Sequence, residues 1–441
     1  MMTRNNQAEQ PLLLVLLLLR TAPTSSSCPF APAAPGKQPA GLKLRVGAGM
    51  LADSALRASE VVWVGPECLN VFVGSPSLVQ LEDGGWLASH DLFGDYWPRD
   101  TVHILRSPSG ASPTGVAWQP LSNVTGLYWA NLFEHRGALY LLGVDGDDVH
   151  KVSPPHTTAM KGGPVAISQS TDGGVHWSKP VTLINGSFQT APTPVIEHDG
   201  VLYRTMEDSA AGGCGALVLW AAAGSNLLSP ASWSRSNALV AEDFRKGAGT
   251  WQEGSVVVAP SGEVWNLLRV NGQTTEWNNK AAATVLDRAS GKLTFKQWVD
   301  GPFSNSKFAV RRDPASPTPV YYALSTNVTD TNIALARRNV SWAIGARNNL
   351  VWSRSLDLVS WEVCTTVLAD DTGLAPAASA EYTGFQYPDW RFDGKDVVAL
   401  VRTAYRGAPG AGRSNRVTSV RIVDYAGICG ADWGSRGLES R

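Results

Sequence analysis

Hydrophobic and polar positions alternate over short stretches along most of the chain, and apolar residues seldom recur at helical spacing. Runs of about four to eight residues rich in Val, Leu, Tyr and Trp are interrupted by Asp-Gly, Ser-Gly or Arg-Gly pairs, which reads as strand, tight turn, strand. The first pair is 76–81, a turn at Asp83-Gly84, and 86–89. The next is 127–133, Arg136-Gly137, 139–142, and the third is 193–196, Asp199-Gly200, 201–204. A fourth covers 254–258, Ser261-Gly262 and 263–269. A divergent fifth covers 307–311, a longer turn through 314–319, and 320–324. The last is 385–390, Asp393-Gly394, 396–402.

The unit returns at a period of about sixty residues. A linker and a further pair of β-runs follow each copy, often closed by Trp, as at Trp118, Trp177, Trp233, Trp298 and Trp361. Six copies of four strands predict an all-β fold, a six-bladed β-propeller. It folds as one unit, because a single blade cannot bury both faces. The segment 54–64 is expected to supply the outer strand of the last blade. The chain divides into a leader (1–27), an irregular segment (28–53), the propeller (54–430) and an irregular tail (431–441).

The apolar run 12–19, between Arg4 and a polar stretch, is too short for an integral membrane span of about 20 residues and has the form of a secretory signal peptide. Asn123, Asn185, Asn327 and Asn339 open N-x-S/T sequons. Together they point to a secreted or endomembrane-luminal protein. A formal net charge of −1 without long charged runs argues against nucleic acid as a partner. The 17 Trp and 43 Gly fit many short strands and a carbohydrate-facing surface. No CxxC pair or Cys/His spacing calls for a metal, and no cofactor is implied. A ring would bring Cys68, before the first copy, near Cys429, after the last, which allows a closing disulfide. Cys214 and Cys364 read as buried strand thiols.

Ser170-Thr171-Asp172-Gly173-Gly174-Val175-His176-Trp177 has the form S-x-D-x-G-x-x-W and resembles the Asp-box turn of sialidases and related propellers. A degenerate copy without the glycine lies at 355–361. With the repeat in register, residues 60–426 resemble the exo-sialidase (neuraminidase) family. The resemblance implies a glycan substrate and a set of site residues. Trp251-Gln252-Glu253-Gly254-Ser255 followed by Leu268-Arg269 matches the family's base and a carboxylate-binding arginine, giving Glu253 and Arg269 those roles. Arg347 takes the place of the last arginine of the family's triad. Gly384-Phe385-Gln386-Tyr387 opens the sixth copy where the family has its nucleophile, assigning that role to Tyr387 over Tyr382.

A phenol suits this chemistry. An anionic nucleophile would be repelled by a sugar whose anomeric carbon bears a carboxylate, whereas a Tyr deprotonated by Glu253 would not. The first triad arginine is missing, for Gly74 stands in its place before Pro76. Arg99 or Arg204 could substitute for it. The general acid is expected at Asp91 or Asp100, with His90 beside it. Arg204, Glu207 and Asp208 could line the rim, as could Lys307, Arg311 and Arg402. These assignments imply a retaining glycoside hydrolase acting on a terminal acidic sugar. The loss at Gly74 keeps two alternatives open: a propeller glycosidase or polysaccharide lyase acting on another sugar, and a non-catalytic carbohydrate-binding propeller.

Overall fold

A computed structural model of the chain describes residues 43–46, 58–65, 71–94, 99–108, 114, 118–146, 162–211, 214–244, 249–272 and 274–430. The proposed leader, the tail and Cys68 lie outside them.

Strands pair with their sequence neighbours almost throughout, as alternating runs joined by tight turns should. The first antiparallel meander sets Val71–Val73 and Ser77–Gln80 against Trp86–Gly94, followed by Thr101–Arg106 and Gln119–Thr125. The second runs Leu127–His135, Ala138–Asp145, Gly163–Ser170, Val181–Gln189. The third is Ile196–His198, Val201–Asp208, Gly215–Ala222, Trp233–Arg235, and it shares a sheet with the second because Phe188 and Gln189 pair with Asp208 and Glu207. The next contains Thr250–Val258, Val264–Asn271, Lys280–Asp287 and Lys292–Asp300. After it come Ala309–Arg312, Tyr321–Thr326, Asn349–Ser355 and Glu362–Ala369. In the last, Gly384–Asp393, Asp396–Ala404 and Arg416–Ile422 are joined by Ser59–Gly65 from the start of the chain. That outer strand was expected. Lys43–Val46 extends the same sheet, where an irregular segment was expected.

Side chains at the inner edges join each meander to the next and close the ring. Leu132 N–H donates to Ser77 Oγ at 3.0 Å, and Arg204 Nη2 donates to Trp129 O at 3.2 Å. Asn266 Nδ2 donates to Thr205 Oγ1 at 2.9 Å, Val310 N–H to Ser255 Oγ at 2.9 Å, and Arg311 Nε to Trp390 O at 2.8 Å. Leu78 N–H donates to Asp389 Oδ2 at 2.9 Å, which returns the circuit to the first meander. The apolar clusters straddle these joints. Val257 and Leu267 pack with Val310 and Tyr321, and Leu78 and Trp86 pack with Val398 and Val417. This is a β-propeller, whose core lies between the blades.

Asp389 is fully buried and accepts from Arg311 Nη2 and Arg391 Nη1, both at 2.9 Å. Removing it would leave two cations without their shared carboxylate. Asp389→Ala is expected to cost about 3–5 kcal/mol of stability, read as a lower urea midpoint. An unchanged midpoint would mean the axial ion pair contributes nothing.

The turn residues behave as their types require. Ser170 Oγ accepts from Gly174 N–H at 3.0 Å, Asp172 Oδ1 accepts from His176 N–H at 2.9 Å, and Trp177 Nε1 donates to Gly174 O at 2.9 Å. The copy at 355–361 repeats this wiring. Ser355 Oγ accepts from Leu358 N–H at 2.8 Å, and Trp361 Nε1 donates to Leu358 O at 3.1 Å. Leu358 stands at φ 67°, so a buried leucine carries the left-handed conformation that a glycine carries in the first copy.

Two expectations are corrected. Cys429, in the short turn Gly427–Cys429, is disulfide-bonded to Cys364 on strand Glu362–Ala369, at a Cα separation of 4.5 Å. Cys364 is therefore not a free thiol and Cys429 does not pair with Cys68. Two short helices, Asp330–Arg337 and Pro376–Tyr382, also occur among the described residues of this otherwise all-β fold. With the turn Ser341–Ala343 they pack through Ala336, Ala343, Ala346 and Ala380, small side chains that let the segments approach closely.

Candidate active site

A cavity of about 320 Å³ opens on the ring axis, lined by residues from several blades. Three side groups reach it through the same backbone device. Trp129, Glu253 and Tyr387 stand at φ 50°, 49° and 53°, a conformation rare for such residues. Each lies on the first strand of its blade, where the ladder to the second strand slips between Tyr128 and Asn131, Gln252 and Ser255, and Gln386 and Asp389. A bulge adds a residue and re-aims its side chain. It also frees backbone N–H groups. Trp129 N–H donates to Asp91 Oδ2 at 3.1 Å, and Glu253 N–H to Glu207 Oε1 at 2.6 Å.

Glu253, Arg269 and Tyr387 form one hydrogen-bonded set. Tyr387 donates its hydroxyl to Glu253 Oε1 at 2.8 Å. Arg269 Nη1 donates to Glu253 Oε2 at 2.5 Å and to the Tyr387 oxygen at 2.8 Å. Asn305 Oδ1 holds the rest of the Arg269 guanidinium at 2.9 and 2.6 Å. Burial alone would lower the Arg269 pKa, but Glu253 and Tyr387 against it raise it on balance. Burial raises the phenol above its ordinary range while Arg269, Arg347 and Arg402 pull the other way, so ionising Tyr387 requires a base, and Glu253 is in contact.

Three guanidiniums surround the Tyr387 ring: Arg402, Arg347 and Arg269 lie 5.1, 5.6 and 5.9 Å from its centroid. Arg347 donates through Nη1 to Gln386 Oε1 and through Nε to Asn305 O at 3.0 Å. Arg402 Nη2 donates to Gly412 O at 2.7 Å. Burial together with the neighbouring cations brings Arg347 down to about 10, and burial also lowers Arg402.

Asp91 lies across the cavity and is 3% exposed. Burial lifts its pKa to about 7, against the opposing pull of the Trp129 N–H and Arg402. Glu207 is buried in the same wall, and burial followed by the nearby Glu253 charge raises it well above the carboxylate range. Gly74 is where it is for lack of space. A Cβ built on it would sit 1.4 Å from Asp91 Oδ1.

Of the residues singled out by sequence, Tyr387, Glu253, Asp91, Arg269, Arg347 and Glu207 line this cavity together. Arg402, placed earlier only on the rim, lines it too. His90 is a correction. Period-two alternation turns it to the opposite face from Asp91, where it stacks on His103 at 5.1 Å, and burial and that neighbour hold its pKa near about 3. Asp100 is not in the cavity wall; its Oδ1 accepts from Thr101 Oγ1 at 2.8 Å. Arg204 is fully buried beneath the floor, bound to the carbonyls of Leu142, Trp129 and Ala191, so it does not replace the arginine missing at Gly74. Lys307 and Arg311 likewise face inward, Lys307 Nζ donating to Pro192 O at 2.6 Å. Trp129 and Asn305 were missed. They act through a backbone N–H and a side-chain amide, which leave no mark in a single sequence.

No protein-family model and no curated protein matches the sequence. Solved structures share its fold. One is the α-L-arabinanase of Penicillium chrysogenum complexed with arabinobiose, at 15% identity over 81% of this chain and 94% of that one, TM-score 0.52. Another is an α-L-arabinofuranosidase of Fusarium graminearum with arabinobiose, at 12% identity over 80% and 93%, TM-score 0.53. A third is the NanB sialidase of Streptococcus pneumoniae, at 12% identity over 80% and 68%, TM-score 0.50.

Proposed function

We propose that the protein is a retaining glycoside hydrolase that removes a terminal acidic sugar of the sialic-acid kind, on a six-bladed propeller. The observation that carries this reading is the Tyr387–Glu253–Arg269 set with the guanidiniums of Arg347 and Arg402 beside it. With Asp91 and Glu207 both biased toward the neutral acid, the three arginines face one ion-paired carboxylate. The cavity therefore has an excess of positive charge that a substrate carboxylate would satisfy.

In the first half-reaction the Tyr387 oxygen bonds to the anomeric carbon as the glycosidic C–O bond breaks. Glu253 takes the phenolic proton, and Asp91 gives its proton to the departing oxygen. In the second, Asp91 takes a proton from water, the water oxygen displaces Tyr387 from the anomeric carbon, and Glu253 returns the phenolic proton. Two displacements retain the anomeric configuration. Arg269, Arg347 and Arg402 hold the carboxylate throughout. The leader, the sequons and the Cys364–Cys429 bond support action in a secretory or extracellular compartment.

A second reading rests on Glu207. Its neutral carboxyl in the cavity wall, 2.6 Å from Glu253 N, would make Glu207 and Glu253 an acid and carboxylate pair for a neutral sugar. An aryl α-sialoside and an aryl α-L-arabinofuranoside separate the two. Release from the sialoside alone is expected, and release from the arabinofuranoside alone overturns the acidic-sugar reading.

The pH profile identifies the acid. Asp91 must be protonated to act, and its pKa is about 7, so kcat/KM should fall as pH rises through about 7. Asp91→Asn should lower the rate and remove that limb; a limb that survives points to another acid. By the same raised pKa, the fold loses stability as pH climbs from about 4 toward 7, since the unfolded chain gives up this proton first.

A further inference from the structure

A second cavity of about 450 Å³ adjoins the first, and Arg347 and Gly412 line both. Its walls come from the helical cluster on one side and from the 409–413 loop on the other. The loop is tied to the catalytic cavity by two of that cavity's neighbours: Arg402 Nη2 donates to Gly412 O, and Gln386, which receives Arg347, donates to Ala411 O.

Trp342 stands in this second cavity and is 57% exposed. Its backbone is nonetheless fixed. The turn Ser341–Ala343 is closed by Ala343 N–H donating to Val340 O at 3.1 Å, and the adjacent Ala343 is fully buried in the helical cluster. The fold thus presents a large aromatic side chain to solvent from a fixed stretch of backbone. It does so beside a catalytic cavity and not at random on the surface. Glu381 and Arg413 flank the same space and offer a hydrogen-bond acceptor and donors. A flat apolar platform with polar groups at its edge matches the alternation of a pyranose, whose ring faces carry C–H bonds and whose rim carries hydroxyls.

We propose that this groove is the aglycone subsite: a neutral pyranose on the leaving-group side of the scissile bond stacks on Trp342, its hydroxyls reaching Glu381 and Arg413. The inference rests on the glycosidase reading for the identity of its neighbour, but the groove's own ligand is testable without turnover. The natural substrate is then an oligosaccharide or glycoconjugate in which the terminal sugar is linked to another sugar.

Binding of lactose and of cellobiose, as neutral disaccharide probes, should be measured by calorimetry on the full chain. Wild type should bind at least one of them. Trp342→Ala should weaken it about tenfold, and Trp342→Phe should keep most of the affinity. In turnover, Trp342→Ala should raise KM for a glycan-linked substrate and leave the glycosyl fluoride, which has no aglycone sugar, unchanged. No disaccharide binding by wild type, or equal binding by Trp342→Ala, overturns the subsite. If disaccharides bind through Trp342 but no acidic glycoside is cleaved, the subsite stands and the acidic-sugar reading falls.

Discussion

Glu253→Gln and Tyr387→Phe are each expected to stop turnover while leaving the protein folded and able to bind an acidic sugar. Glu253→Gln keeps an oxygen within reach of the Tyr387 hydroxyl but removes the base and the ion pair with Arg269. Loss of a positioned base costs about 10²–10⁴ in kcat, and loss of the nucleophile costs at least as much. Arg347 and Arg402 still face the cavity in both variants, so affinity for the free acidic sugar should change only a few-fold. Single-turnover kinetics with an aryl glycoside, alongside a binding titration, reads both quantities. A fluorinated substrate that slows the second step should leave its mass on the peptide that contains Tyr387. A Tyr387→Phe enzyme within tenfold of wild type would remove the phenol from the mechanism and direct attention to Glu207.

Gly74→Arg should inactivate the protein, although it restores the residue that the resemblance to sialidases calls for. Any Cβ at 74 would fall 1.4 Å from Asp91 Oδ1 and 2.6 Å from Asp91 Cγ. The carboxyl would have to leave its site and give up the Trp129 N–H at 3.1 Å. The substitution then displaces the acid instead of adding a cation. The expected loss is again about 10²–10⁴ in kcat/KM, with the alkaline limb near pH 7 abolished. Gly74→Ala should produce most of the same effect, since the conflict begins at Cβ. Wild-type activity in Gly74→Arg would mean that Asp91 is dispensable or that the strand can shift to make room.

Gly74 and Arg402 belong to one solution. The space a first-blade arginine would need is taken by Asp91, and the third guanidinium arrives from Arg402 in the last blade. The sequence supplied Arg402 only as one of several rim cations. Nothing in its neighbours separates it from Lys307 or Arg311, which lie outside the cavity wall and donate to the carbonyls of Pro192 and Trp390 instead. His90 is different. Adjacent strand residues face opposite ways, so Asp91 in the cavity already implied His90 out of it. The helical cluster was also hidden. Its longest helix, Asp330–Arg337, has only eight residues and packs through alanines, too little for a periodic apolar stripe to register.

Tight turns and strand runs follow from local chemistry: an Asp-Gly pair needs only its own backbone, and alternation needs only two faces. Both were therefore legible in the chain, and with them the propeller, whereas Glu253, Arg269, Arg347 and Tyr387 were singled out only by the resemblance to sialidases. The tertiary structure decided the matters that involve residues far apart in sequence. It set the bulges that bring Glu253 and Tyr387 to 2.8 Å across a separation of 134 positions, the partner of Cys429, and the burial that lifts Asp91 to about 7. Distance, desolvation and strain arise only when blades meet around the axis, and no window of a single sequence contains them.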